Sequence, residues 1–192
     1  YIIEEINNLK FMVHPNSFLQ VNHDQAQAMY NKALSYIADS NNNVIDAYCG
    51  IGSISLNLTQ KAGHVYGIEI VPQAVVNANE NKKINNISNA TFICGKCEDE
   101  IEKLVNIKDI DTIVVDPPRK GCDEKLLDTV VKMAPSRIVY VSCDPGTLAR
   151  DVKVLTDKGY EVKRVRACDM FGGSFHVESV VLLSKQDPVS LN

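Results

Sequence analysis

Asn43-Val44-Ile45-Asp46-Ala47-Tyr48-Cys49-Gly50-Ile51-Gly52 decides the fold. A short apolar run ends in an acid and then in two close glycines. Such a run is a buried strand, and the glycines let the chain turn tightly into a helix. Similar runs recur at His64–Ile68, Ala90–Cys94, Asp111–Val115 and Arg137–Ser142. Helical stretches are predicted around them, near 52–61, 72–85, 97–105, 123–134 and 146–158. Strands joined by helices need crossover connections, which gives a largely parallel sheet covered on both faces. Two further runs, Tyr160–Ala167 and Val177–Leu183, have no helix between them. They are expected to form a hairpin with one antiparallel strand at the sheet edge. The expected fold is α/β: a seven-stranded, mostly parallel, Rossmann-like sheet with helices on both faces and an antiparallel last strand.

Upstream, residues 11–21 read as extended segments broken at His14-Pro15-Asn16. Asn22 is placed to cap a helix carrying Ala26, Met29, Tyr30, Ala33, Leu34 and Ile37 at helical spacing. The chain thus divides into a lead-in over residues 1–40 and one α/β domain over 41–192. Its 192 residues suffice for one sizeable core. It starts at Tyr1, not Met, so preceding domains are expected to be missing. No apolar run approaches the ~18 residues of a membrane span, and no basic-then-apolar leader is present. The six scattered cysteines suit a reducing cytosol better than a disulfide framework. A cytoplasmic monomer is the expectation. The net charge is −4, whereas a protein that grips nucleic acid mainly through phosphates is usually basic. Nucleic-acid binding would need a local basic cluster or a separate domain.

In open α/β sheets, ligands bind beyond the carboxyl ends of the strands. There the first strand offers Gly50 and Gly52, and the second offers Glu69, about 20 residues on, where a ribose hydroxyl acceptor belongs. A nicotinamide dinucleotide would want a third glycine, but Ser53-Ile54-Ser55 comes next. Its pyrophosphate would also be repelled by Asp46. S-adenosylmethionine carries a sulfonium and an ammonium, which acidic strand ends favour. The bland alternative is that the glycines merely shape a turn.

The fourth strand ends in Asp116-Pro117-Pro118-Arg119-Lys120-Gly121. The prolines stiffen the loop, aiming Asp116 and exposing two cations; the same tripeptide also occurs as a plain turn. The fifth ends in Ser142-Cys143-Asp144-Pro145. Cys143 lies where strand gives way to helix, and a helix N-terminus should make its thiolate easier to form. Cys49, Cys122 and Cys168 read as small buried hydrophobes. Cys94-Gly95-Lys96-Cys97 supplies only two potential metal ligands, so no metal is expected. In the last strand His176 and Glu178 are two apart and share a face, so either can serve as a base.

Together these stretches resemble the RNA uracil-5-methyltransferase family, within the large S-adenosylmethionine-dependent methyltransferase class. The likeness rests on Phe18-Leu19-Gln20-Val21-Asn22, Asp46 to Gly52, Gly67-Ile68-Glu69, Asp116 to Gly121, Ser142 to Pro145 and His176-Val177-Glu178, in family order. The resemblance implies S-adenosylmethionine contacts from Gln20, Tyr48, Glu69 and Asp116. It implies Cys143 as nucleophile and Glu178 as base, with an N-terminal RNA-binding barrel and central region outside this stretch. The implied substrate is ribosomal or transfer RNA, with 23S ribosomal RNA set ahead. The chemistry is coherent: a thiolate added at carbon 6 of uracil makes carbon 5 nucleophilic, and a base then removes the carbon-5 proton. The target base must be unstacked to reach a pocket. The same logic serves RNA cytosine-5 methylation, although that family carries a second cysteine in a Pro-Cys context. A non-catalytic cofactor-binding module is the remaining reading.

Overall fold

The computed structural model describes residues 1–15, 17–20, 22–38, 42–170, 172–174 and 177–186. The elements are β1 (Ile2–Ile6), β2 (Leu9–Val13), α1 (His23–Tyr36), β3 (Asn43–Ala47), α2 (Ser53–Leu58), β4 (His64–Glu69), α3 (Pro72–Ile84) and β5 (Ala90–Cys94). They continue with α4 (Cys97–Lys103), β6 (Ile110–Val115), α5 (Glu124–Met133), β7 (Arg137–Ser142), α6 (Pro145–Asp157), β8 (Tyr160–Cys168) and β9 (Glu178–Lys185). Every predicted strand and helix of the α/β region is present, within a few residues at each end.

Seven strands form one sheet in the order β5-β4-β3-β6-β7-β9-β8. β3 to β7 pair in parallel, while β9 runs antiparallel to both β7 and β8. The last strand is antiparallel as expected, but its expected place at the edge is corrected: β9 is interior and β8 is the edge. Composition explains the exchange. β9 offers Val180, Val181 and Leu183 to both faces and is buried, as interior strands are. β8 carries Lys163, Arg164 and Arg166, the charged residues that keep an edge from pairing further.

Alternation within each strand feeds two cores. Val44, Val65, Val114, Val139 and Val180 pack under α1, α2 and α3. Ile45, Ile68, Ile113, Ile138 and Leu183 pack under α4, α5 and α6. The lead-in joins the first core through Ile6, Phe11, Ala26, Met29 and Ala33. Asn22 caps α1 as expected, its side chain accepting from Gln25 N.

Residues 1–13 form a hairpin that the sequence did not announce. Asn7 and Asn8 both take left-handed backbone, with φ of 55° and 63°, the two-residue turn that matches strand twist. The other edge of β2 is closed by α3. Asn77, Asn81 and Asn85 lie four apart on the helix. Their amide oxygens accept from His14, Met12 and Lys10 N–H at 3.4, 2.7 and 2.8 Å. Asn77 and Asn85 also donate to the carbonyls of Met12 and Lys10. Four helical residues rise about 6 Å and two strand residues about 6.7 Å, so the registers match. A helix face thus stands in for a neighbouring strand.

Candidate active site

The chain reverses its direction of travel across the sheet between β3 and β6, which are neighbours. That switch point opens a crevice beyond their carboxyl ends. A cavity of about 760 Å³ lies there. Because β9 is antiparallel, its first residue, Glu178, arrives at the same end as the carboxyl termini of the parallel strands. Gln20, Tyr48, Gly50, Glu69, Asp116, Cys143 and Glu178 all line the cavity. Gly52 does not.

The loop after β3 is held by its glycines and by Glu69. Tyr48, Gly50 and Gly52 all take positive φ, at 67°, 55° and 82°. For a bulky residue such as Tyr48 this is uncommon backbone. Gly50 N donates to Glu69 Oε2 at 3.0 Å, and Val71 N donates to Oε1 at 2.8 Å. Glu69 therefore ties the loop after β3 to the start of α3. Gly52 serves packing: a Cβ there would lie 2.8 Å from Phe92 Cζ, and one on Gly67 would lie 2.6 Å from Phe92 Cδ1.

Asp46 also works behind the cavity. Its side chain is fully buried, with Oδ2 accepting from Ser55 Oγ at 2.5 Å. Burial pushes its carboxyl up to about 7, with the Ser55 bond pulling the other way. The expected repulsion between Asp46 and a pyrophosphate is thereby corrected, because Asp46 does not reach the cavity. The acids on the cavity wall are Glu69, Asp116 and Glu178, joined by Glu98 and Asp123.

The rest of the cavity wall combines the loops after β6 and β7 with the start of β9. Asp116 is held well above the ordinary carboxylate range by burial, with Glu178 and Asp46 adding to it. Glu178 is 3% exposed; burial raises its carboxyl and Arg119 opposes. Cys143 is half-buried beside a capped helix: Asp144 Oδ1 accepts from Thr147 N at 2.8 Å, and Pro145 opens α6. The expected ease of thiolate formation is corrected. Burial raises the Cys143 thiol, Glu178 and Asp116 push the same way, and Arg119 only opposes them. A helix terminus contributes roughly 0.3–1 kcal/mol at an exposed site, too little against desolvation and two acids. His176, the rival base, lies outside the described residues.

α6 also fastens the Asp116 loop. Thr147 Oγ1 donates to Arg119 O at 3.1 Å, and Arg150 Nη2 to Lys120 O at 2.9 Å. Buried Asp151 Oδ2 accepts from Cys122 N at 2.8 Å and from Tyr140 Oη at 2.6 Å. One carboxylate thus joins the strand leading to Cys143 with the loop carrying Asp116 and Arg119. Gly121, at φ 77°, is where the loop crosses this latch; a Cβ there would meet Arg150 and Asp151 at 2.5 and 2.6 Å.

The rim adds residues to which the sequence reading gave no role in the site. Phe18 and Ile70 are 72% and 54% exposed. Lys96 enters from the loop after β5, and Cys97 and Glu98 from the first turn of α4; the signal was their position beyond a strand's carboxyl end. Cys49, Cys122 and Cys168 are buried and free, and Cys122 is outside the lining. Gln20 Oε1 is buried without a hydrogen-bond partner among the described residues.

Residues 3–186 match the tRNA (Uracil-5-)-methyltransferase family. A Bacillus cereus protein described as an uncharacterized RNA methyltransferase is 54% identical over 187 residues, covering 96% of this chain and 41% of that protein. One from Clostridium tetani, described likewise, is 50% identical over 186 residues, covering 95% and 40%. Among solved structures, the Pyrococcus abyssi tRNA (uracil-54, C5)-methyltransferase in complex with S-adenosyl-L-homocysteine superposes with a TM-score of 0.84 at 35% identity. The match covers 95% of this chain and 44% of that one. The chain therefore spans about two-fifths of the length of these relatives.

Proposed function

The chain belongs to the tRNA (Uracil-5-)-methyltransferase family, and from that premise we propose that it methylates carbon 5 of a uridine in RNA, with Cys143 as nucleophile and Glu178 as base. The observation that carries this reading is the convergence of Cys143, Glu178 and Asp116 on the same cavity as Gln20, Tyr48 and Glu69. The donor set suits S-adenosylmethionine. Glu69 favours a cation, a bound cation would pull the raised Asp116 and Glu178 carboxyls back toward the ionised form, Gln20 has an unpartnered buried acceptor, and Phe18 and Ile70 offer an apolar rim. When bound, the cofactor supplies an electrophilic methyl group for carbon 5. Cys143 Sγ adds to carbon 6 of the ring, moving electron density to carbon 5. Glu178, raised in pKa and therefore poised as a base, takes the carbon-5 proton. The carbon–sulfur bond then breaks and restores the ring. Asp116, half-buried beside both, holds the acid side of the pocket.

The cytosine-5 reading is disfavoured by Cys122, whose backbone is bound to Asp151 away from the cavity. The test is a trap. RNA containing 5-fluorouridine, which cannot lose the carbon-5 substituent as a proton, should form an adduct with the wild-type chain and cofactor that survives a denaturing gel. Cys143→Ser should form none. No adduct with any preparation would overturn the nucleophile and the reaction class, leaving a cofactor-binding module. Mapping the modified nucleotide in total RNA assigns the substrate, with 23S ribosomal RNA expected ahead of transfer RNA.

A further inference from the structure

β8 differs from every other strand of the sheet, because Val162 to Ala167 are all exposed. Three of those six residues are cations. The pairing register sorts them. Arg164 lies opposite Leu182, and Arg166 opposite Val180; paired residues share a face. Val180 belongs to the core under α1, and Leu182 packs against it. Arg164 and Arg166 therefore stand on the α1 side. Lys32 of α1 joins them: burial raises the thiol of Cys168 and Glu178 adds to it, while Arg166 and Lys32 both oppose from this side. None of the three has a carboxylate partner among the described residues. Asp24, in the first turn, is the one acid of α1. The exposed valines of β8, Val162 and Val165, pair with Leu183 and Val181 and so face the other side. The α1 side is thus a cationic and polar surface in a chain of net charge −4.

This surface runs up to the reaction cavity. Cys168, at the end of β8, pairs with Glu178. Arg166 and Arg164 follow at about 7 and 13 Å along the strand from that point. Arg119 and Lys120 stand on the cavity wall itself. Guanidinium forks match phosphate oxygens, and the spacing presents them in a row.

We propose that Lys32, Arg164 and Arg166 hold backbone phosphates of the substrate RNA strand whose target base enters the cavity beside Glu178. The inference rests on the RNA reading above. It supplies the local basic cluster that the overall charge obscures.

The test is fluorescence anisotropy of a uridine-containing single-stranded RNA with the 192-residue chain, repeated across a series of KCl concentrations. The variant Lys32→Gln/Arg164→Gln/Arg166→Gln should bind about tenfold or more weakly at low salt. Its slope of log K against log salt should shrink by about 2, three lost phosphate contacts on a single strand. Affinity for S-adenosylhomocysteine and the melting temperature should be unchanged. A control, Lys83→Gln/Lys108→Gln/Lys132→Gln, removes as much exposed charge elsewhere and should leave binding nearly intact. Equal losses in both variants, no loss in the first, or no measurable RNA binding by the wild type at low salt would each overturn the proposal. So would wild-type binding to anionic lipid vesicles without binding to RNA. The 5-fluorouridine trap on the same preparations separates the two readings. RNA binding lost in the first variant, with no adduct from any protein, sinks the reaction and keeps the surface. An adduct with unaltered binding does the reverse.

Discussion

Glu69 holds the loop after β3, and the proposed site gives the same carboxylate a second task. Both oxygens already accept backbone N–H groups, from Gly50 and Val71, and each keeps a lone pair for a ligand. Glu69→Ala should weaken S-adenosylhomocysteine binding by about 1–3 kcal/mol, the scale of a charged hydrogen bond with a donor left unpaired. Glu69→Gln should do nearly as much harm, because its NH₂ must face one of the two amides. Calorimetry decides it; a Gln variant with wild-type affinity would remove Glu69 from the site. Cys143 makes a second prediction. Its thiol is raised by burial and then by Glu178 and Asp116, so the reactive thiolate grows as pH rises into the alkaline range. Glu178→Gln removes a neighbouring carboxylate and should shift the rising limb of the adduct-formation rate to lower pH. The same variant should accumulate the methylated adduct, since carbon 5 keeps its proton. A limb that does not move would mean that Glu178 is not a charged neighbour of Cys143.

At the scale of elements, the asparagine ladder of α3 explains how a two-stranded hairpin persists on the side of a larger sheet. An isolated hairpin is marginal in water. Here β2 gains a second bonded edge from Asn77, Asn81 and Asn85. Asn81 is fully buried and also donates to Ile51 O at 3.2 Å, linking the hairpin to the glycine loop after β3. Asn81→Leu leaves Met12 N–H and Ile51 O without that partner. It should cost about 1–3 kcal/mol for each group left unsatisfied, read as a lower urea midpoint with an unchanged slope. Asn79→Leu, on another face of the same helix, controls for helix propensity. If both variants melt alike, the ladder adds nothing. The latch on α6 works in the same way for the reaction loop: one helix carries the cap beside Cys143 and the groups that fasten Lys120 and Cys122.

For the molecule as a whole, Asp46 couples folding to pH. Its carboxyl sits near 7 in the fold against an ordinary 3.8. Between those values the native state binds the proton that the unfolded chain has released, so stability falls as pH rises through this window and the contribution is gone above it. The melting temperature should therefore decline from about pH 5 to about pH 8 more steeply in the wild type than in Asp46→Asn, which keeps an acceptor for Ser55. Parallel curves would show that Asp46 is ionised throughout. Among the described residues no helix is long and apolar enough to cross a membrane.

The amino-acid sequence by itself determined the order of strands and helices, because burial writes a period of two or 3.6 into each stretch. It also determined which loops meet, since ligand-binding residues of such sheets gather at the carboxyl ends of the strands. That is why the positions of Glu69, Asp116 and Cys143 were legible in the chain; Tyr48 was named through the family resemblance, and Glu178 through that resemblance and the alternation of the last strand. Tertiary structure alone decided the rest. Whether β8 or β9 takes the edge depends on which of them pairs with β7; the charges of β8 against the apolar run of β9 bias that competition, but the spacing of strands and helices does not record its outcome. Asp46 turned away from the cavity because strand alternation aimed it at Ser55. The Cys143 thiol is raised because folding buries it and gathers acids from distant strands around it; the helix end beside it was the only influence visible locally. The asparagine ladder and the Lys32–Arg164–Arg166 surface each join residues far apart in the chain, and only packing brings such partners within reach.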